Sequence, residues 1–536
     1  MIENPFKNSD LTHAEPQQDI RRTEKHLGPV GAKLRRIVDQ KHGSLRDSLS
    51  ATEETPTVRS LASPEELAVL EAYRHRDTYF DEAKETYRQL TLKASSGTVL
   101  SKAAATIVRA QKESGLSADV FIEELDNDCK EHPEVDGASL ALGSAYTVVG
   151  QYSDAEHCMR TIGPPSTYRH IHGWLELYDA CVQNNAATQV TNLAESVADL
   201  TAVLEGMRKR EYIEPEFAQA ATKIIDIAKR LPSKKMTAVL QYLFEMLEEI
   251  PLYQDYGDGL RIKNTGTILQ RGLLELQASR FRQAEEALTQ LEGEQTTLAT
   301  LHLAFARSTE LSPTQRDQHL HVAKQEILTR SSDLGRIAEL IDAASDNELP
   351  DILISLKKKV ALRSVLGYTA CLDHLILKGA LRIHDQEMAT WSFKDLEHLY
   401  QSGNPITSWS GDALINQITI SIAYVRACAL LDKPIEPTFS HLMNGVLLDD
   451  SKLAQTRTTI DASHLFELAD TVIEQGQDTG PLLKRIKTLI EHGQIFIDQK
   501  GLYTIWQELL QRQTAFAAKQ CQGIARKKAA LSEKDR

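Results

Sequence analysis

The sequence predicts an all-α chain, an α-solenoid of antiparallel helical hairpins with a helical continuation at its C-terminal end. Three observations point there. Apolar residues recur at helical spacing, and no run of alternating β-branched residues interrupts them. Pro164-Pro165, Pro215, Pro232, Pro251 and Pro313 cut the periodic stretches into pieces of helix length. Between residues 101 and 167, two abutting segments of equal length each read as helix, turn, helix.

Residues 1–60 read as a largely disordered arm, rich in polar residues and breakers, with Thr52 to Thr57 as a linker. Within it Arg21, Arg22, Arg35 and Arg36, with Lys25, Lys33, Lys41 and Arg46, outnumber Glu24 and Asp39. Gly28-Pro29 and Gly31 confine any helix there to about residues 32–41. Two readings stand: a solvated arm, or a segment that docks on an acidic protein or nucleic-acid surface.

A helical array is predicted over residues 61–345. Ser63-Pro64-Glu65-Glu66 has an N-cap serine, a proline at the first helical position and a glutamate placed to close a capping box. Leu67, Leu70 and Tyr73 then face one way. The next helix carries Phe80, Ala83, Tyr87 and Leu90, and Ala94 to Gly97 breaks it. The hairpin from Ser101 to Glu131 turns at Gly115, and Pro133 ends it. Residues 136–167 form the clearest hairpin. Gly143 and Ala155 are small where its helices cross, Tyr146 and Tyr152 fill space towards neighbouring hairpins, and Gly150 permits the turn. A further copy carries Gly272, Phe281, Ala284 and Leu288. Divergent hairpins pair 168–183 with 190–207, 216–230 with 235–249, and 297–309 with 314–329.

This pattern resembles the tetratricopeptide repeat family, whose period is 34 residues. The resemblance covers about residues 64–330. The family departs from this chain at Glu71 and Arg109, which stand where it has small residues. One subclass grips the C-terminal carboxylate of chaperones with Lys and Asn on first helices. The matching positions here carry Ala68, Ala72, Thr106, Ala110, Leu140 and Ser144, none of which makes that clamp.

After Ser345 the period is lost. Residues 346–520 read as a C-terminal helical domain or a divergent continuation. It opens on one long apolar helix over 351–383, which Gly367 and Gly379 interrupt or bend. Helices follow near 393–401, 411–431, 438–447, 459–475, 480–492 and 500–520. Residues 521–536 read as a charged, fraying tail.

Composition limits the function. A formal net charge of −14 argues against a surface that coats nucleic acid, and weakly favours a partner of basic character. Six scattered cysteines without a CxxC pair argue against a disulfide framework or a structural zinc site. No secretory signal or membrane span is expected, and a cytoplasmic (or nuclear) chain is. The sequence carries no P-loop, GxGxxG, HExxH or GxSxG motif, so no enzymatic activity, cofactor or metal is expected.

Three small constellations suggest chemistry. Cys371 and His374 share a helix face, which reads as a thiol–imidazole pair or, more plainly, as a buried cysteine beside a partly exposed histidine. His170 and His172, like His319 and His321, are two apart and diverge on a helix, so neither pair chelates a metal. Lys357-Lys358-Lys359 wraps a solvated face.

The functional expectation is a non-enzymatic scaffold or adaptor that takes a peptide or partner helix in a groove on the first helices. Lys102, Arg109, Ser139 and Ser144 are its candidate contacts. The alternatives are a solenoid subunit wrapped around another chain in a large assembly, and a regulatory protein that reaches nucleic acid through the arm.

Overall fold

The computed structural model describes residues 63–93, 97–132, 136–162, 171–186, 189, 215–230, 234–255, 261–330, 333–361, 366–402, 411–447, 462–493, 495 and 499–534. The basic arm, with Arg21, Arg22, Arg35 and Arg36, lies outside them, as do residues 190–207. The protein is all-helical and repeat-like. Among the described residues the one sheet is a two-stranded antiparallel ribbon, in which Tyr253 faces Lys263 and Asp255 faces Arg261.

The chain divides into two units, Met1–Leu70 and Glu71–Arg536. In the first, helix α1 (Pro64–Arg74) begins on the expected capping box. The Ser63 amide donates to Glu66 Oε2 at 2.8 Å, and the Glu66 amide donates back to Ser63 Oγ at 3.2 Å. Leu67 and Leu70 are 41% and 49% exposed, and the helix buries none of its residues.

The second unit opens with a short 3₁₀ turn, Arg76–Phe80, then α2 (Asp81–Lys93), α3 (Gly97–Glu113) and α4 (Asp119–Glu131). Phe80, Ala83, Tyr87 and Leu90 are buried as the pattern requires. The hairpin of α5 (Asp136–Val149) and α6 (Tyr152–Ile162) follows, then α7 (Ile171–Gln183).

Missing side chains set the spacing of these helices. A Cβ on Gly97 would stand 2.5 Å from Leu140 Cδ1 and 3.4 Å from Gly137 Cα, so α3 and α5 meet almost backbone to backbone. The Met159 side chain fills the space between two other glycines. Its Cε would lie 2.8 Å from a Cβ on Gly143 and 2.9 Å from one on Gly173. Close packing of this kind leaves no room for a methyl group without movement. Gly150, at φ 91°, closes the α5–α6 turn in the left-handed region, where glycine carries no Cβ penalty.

The array continues through α8 (Pro215–Arg230), α9 (Lys234–Glu249), the ribbon, α10 (Thr265–Gln277), α11 (Phe281–Gln290), α12 (Gln295–Arg307) and α13 (Pro313–Arg330). Asn264 caps α10 by accepting from the Thr267 amide at 3.1 Å. A Cβ on Gly272 would meet the Ala287 Cβ and Leu301 Cδ2, each at 2.9 Å. The small residue under Gly272 is thus Ala287, one helical turn beyond the expected Ala284.

Residues 351–383 are not one helix. The break falls after Val360, between α15 (Leu349–Val360) and α16 (Leu366–Arg382), while Gly379 lies within α16 against Leu353. Before them, α14 spans Leu334–Ala343. The apolar cluster holding Leu340, Ile341, Ala344, Leu349 and Ile352 runs straight across the expected boundary at Ser345. Arg382 reaches back from α16 to the end of α14. Its guanidinium donates to the Ile341 and Ala344 carbonyls and to Asp346, which places a cation where a helix exposes unpaired carbonyls.

The remaining helices are α17 (Gln386–Ser402), α18 (Gly411–Leu430), α19 (Glu436–Leu442) with a following π-helical turn, α20 (Ala462–Glu474), α21 (Gly480–Glu491) and α22 (Gln499–Lys534). The expected fraying tail is instead the last part of α22. That helix is 36 residues long, about 54 Å, and packs on α20 and α21 as well as on α2, the 3₁₀ turn and α3. Phe80, Ala110, Leu116, Ala517 and Cys521 form one cluster, and Thr86 Oγ1 donates to Gln513 Oε1 at 2.5 Å. Ala517 and Ala518 just before the tail segment, and Cys521 and Ile524 within it, are buried and give this end of the helix an inward face despite its charge.

Candidate functional site

Helices α3, α5, α7 and α8 leave two adjoining clefts of about 440 and 610 Å³. Glu176 of α7 and Lys223 of α8 line both, so the clefts form one groove. Gln270 of α10 stands at one end, Gly150 and Tyr152 at the other.

The positions follow from helix geometry. Lys102 and Arg109 are seven residues apart on α3, hence two turns apart on one side, and about 10 Å apart along the axis. Between and around them Ser101, Ala103, Ala104, Ile107 and Val108 are buried, so α3 gives its apolar stripe to the core and these two cations to the groove. On α7, Glu176 and Asp179 interrupt an otherwise apolar helix, beside the buried Trp174 and Tyr178.

Asp179 is buried and well partnered. It accepts from Lys223 Nζ at 3.2 Å, Arg230 Nη1 at 3.0 Å and Gln183 Nε2 at 2.9 Å. Glu176, at the junction of the clefts, accepts no hydrogen bond from a described residue. Burial pushes its carboxyl up, and Lys223, Lys102 and Arg109 pull it back. Lys102 and Arg109 make no ion pair among the described residues, and Arg109 is exposed. Lys112 caps α5 by donating to the Val148 carbonyl at 3.1 Å. The rest of the lining is largely uncharged and polar, with Gln219 and Gln270 in one cleft and Gln183 and Asn184 in the other.

The expected site residues therefore separate. Lys102 and Arg109 line the groove. Ser144 touches its floor but is buried, and its Oγ lies 2.5 Å from Ser101 Oγ, so it fastens α5 to α3. Ser139 points elsewhere: it is half-buried and hydrogen-bonded with the Cys129 thiol of α4. Sequence reasoning missed Glu176, Asp179, Lys223 and Gln219. The available signal was a pair of acidic residues, three apart, inside the apolar run of α7.

Elsewhere the titratable groups are set by burial. His374 is 5% exposed and Cys371 is only half-buried, the reverse of the expected arrangement. Burial pushes the thiol up to about 11 and the imidazole down to about 3, so the pair is neutral and holds no thiolate. Their neighbour Asp373 is fully buried, with neither carboxyl oxygen accepting a hydrogen bond. Burial and then the adjacent Asp395 carboxyl raise it to about 8. Lys357, Lys358 and Lys359 diverge. Lys357 lies 4.3 Å over the Trp391 ring, and Lys359 donates to the Ile327 carbonyl at 3.2 Å. His319 meets His302 across α12 and α13, Nδ1 to Nδ1 at 2.8 Å, and not His321. His172 lines the groove, and His170 lies outside the described residues.

No helix among the described residues is long and apolar enough to cross a membrane. The sequence matches no protein-family model, and neither the curated proteins nor the solved structures compared with it match.

Proposed function

We propose that this chain is a binding scaffold, a divergent solenoid of tetratricopeptide-like hairpins, that holds a segment of a partner protein in the groove of α3, α5, α7 and α8. The contiguity of the two clefts through Glu176 and Lys223 carries this reading. A groove about 1000 Å³ in combined volume, open and lined by polar side chains from successive hairpins, suits an extended segment better than a compact small molecule. Tetratricopeptide membership rests on the Gly143–Met159–Gly173 packing, the turn at Gly150 and the related contact at Gly272.

The reading as a subunit wrapped around another chain is less favoured. It calls for a broad apolar surface, whereas among the described residues the exposed large apolar side chains are few, and apart from Leu67 and Leu70 on α1 those on helices, such as Val120, Val322, Ile354 and Leu430, lie on different ones. The test of the groove is steric. Gln219 is exposed in it and makes no hydrogen bond to a described residue. Gln219→Trp is expected to leave the thermal transition unchanged and to abolish binding of peptides selected on the full chain. Undiminished binding to that variant rejects the groove as the site.

A further inference from the structure

The groove differs in charge from the chain that carries it. The chain is acidic overall, at −14. Among the residues that line the groove four cations (Lys102, Arg109, Lys112 and Lys223) stand against three carboxylates (Glu113, Glu176 and Asp179). Lys223 and Arg230 both spend their charge on Asp179. Lys102 and Arg109 do not: no carboxylate pairs with either among the described residues, and both line the groove. With Asp179 saturated, Lys102 and Arg109 share only the longer-range attraction of Glu176 among the described residues, which leaves room for an external anion.

Resting on the groove reading above, we propose that the bound segment is an acidic, extended polypeptide, with one carboxylate on Lys102 and a second on Arg109. The spacing sets its pattern. The cations stand about 10 Å apart along α3, and an extended segment in the polyproline II form advances about 3.1 Å per residue with three residues per turn, so carboxylates three residues apart fall on one face of it. Between them, Gln219 and Gln270 on one side and Asn184 on the other offer amides that pair with a peptide backbone. Among the described lining residues the aromatic rings are the buried Tyr152 and the His172 imidazole, which disfavours a single-stranded nucleic acid, whose bases need exposed stacking platforms. This site does not use the carboxylate-clamp positions of the resembled family, which on α3 hold Thr106 and Ala110.

The test is a display library of random peptides, about a dozen residues long, selected on the full chain. The selected peptides are then measured against Lys102→Glu/Arg109→Glu and Gln219→Trp, in which Lys102 is half-buried and Arg109 and Gln219 are exposed, each variant checked for an unchanged thermal transition. The expected result is enrichment of acidic pairs three residues apart. Affinity should fall at least ~10-fold in the charge-reversed variant, be lost in Gln219→Trp, and weaken with added salt. Neutral or basic peptides that still depend on Gln219 overturn the acidic ligand and leave the groove standing. Peptides indifferent to Gln219→Trp overturn both, as does a library that yields no binder. A single-stranded oligonucleotide that displaces the peptides and needs Lys102 and Arg109 overturns the choice of polypeptide.

Discussion

Asp373 offers the sharpest energetic test of the packing. Its side chain is fully buried between α16 and α17, its oxygens accept no hydrogen bond, and the Asp395 carboxyl lies beside it. A carboxyl raised from 3.8 to about 8 binds its proton more tightly in the folded chain than in the unfolded one. The sign follows from linkage. The stabilisation is fully present below pH 4, shrinks as pH rises between 4 and 8, and is gone above 8, where the folded chain must hold a buried charge. The whole effect amounts to at most on the order of 5 kcal/mol, of which on the order of 1 to 2 kcal/mol is already lost at pH 5.

Asp373→Asn removes the charge, keeps the volume and retains a donor for Asp395. Thermal transitions of the parent and the variant, measured side by side from pH 5 to pH 9, read the difference directly. The two should lie close together at pH 5. The variant should gain on the parent by up to ~4 kcal/mol as pH rises to 8, and the gap should then level off. Asp395→Asn should reduce the parent's alkaline loss without removing it, because burial is the larger cause. A gap that does not change with pH, or an Asn variant that is less stable throughout, refutes the assignment of a protonated buried carboxyl.

Three further outcomes follow from the packing. Gly272→Ala should destabilise more than Gly143→Ala, by about 1 to 2 kcal/mol in urea unfolding, because the new methyl meets the immobile Ala287 Cβ in one case and the swinging end of Met159 in the other. Ala517→Glu, which places a charge on a fully buried site of α22, should lower the thermal transition markedly and open proteolytic cleavage near both Phe80 and Ala517, since the two ends of the second unit share that cluster. Iodoacetamide at pH 8 should modify the folded chain slowly and the denatured chain at all six cysteines, because burial pushes the Cys158 and Cys181 thiols up to about 12 and Cys371 to about 11.

The local code of the hairpins was readable. Gly143, Gly150, Ala155 and the capping box at Ser63 act over fewer than about four helical turns, so their spacing alone specifies the contact. What escaped was set by contacts between distant segments. The tail after Ala518 looked like a fraying end because its charges are many. Its few small apolar residues matter only once α3 and the 3₁₀ turn are beside them. The break after Val360 replaced one apolar helix with two, since unbroken hydrophobicity does not reveal where a chain reverses.

The same distinction governs the sign of the partner. Net charge suggested a basic partner, but that sum extends over a chain far larger than the distance charges reach. At physiological salt, exposed charges are screened over about 8 Å, less than the separation of Lys102 and Arg109 along α3. A segment lying in the groove therefore responds to the groups within a few ångströms of it, and the acidic remainder is nearly silent. Those groups come from α3, α7 and α8, brought together by the stacking of hairpins whose contributing residues, Arg109, Glu176 and Lys223, are dispersed in sequence. The distant negative charge still acts on slow encounter and on solubility, where fields sum over longer paths at low salt. On the proposed reading, Lys102 and Arg109 set specificity in the bound state, so reversing both should outweigh a chain-wide excess of fourteen negative charges.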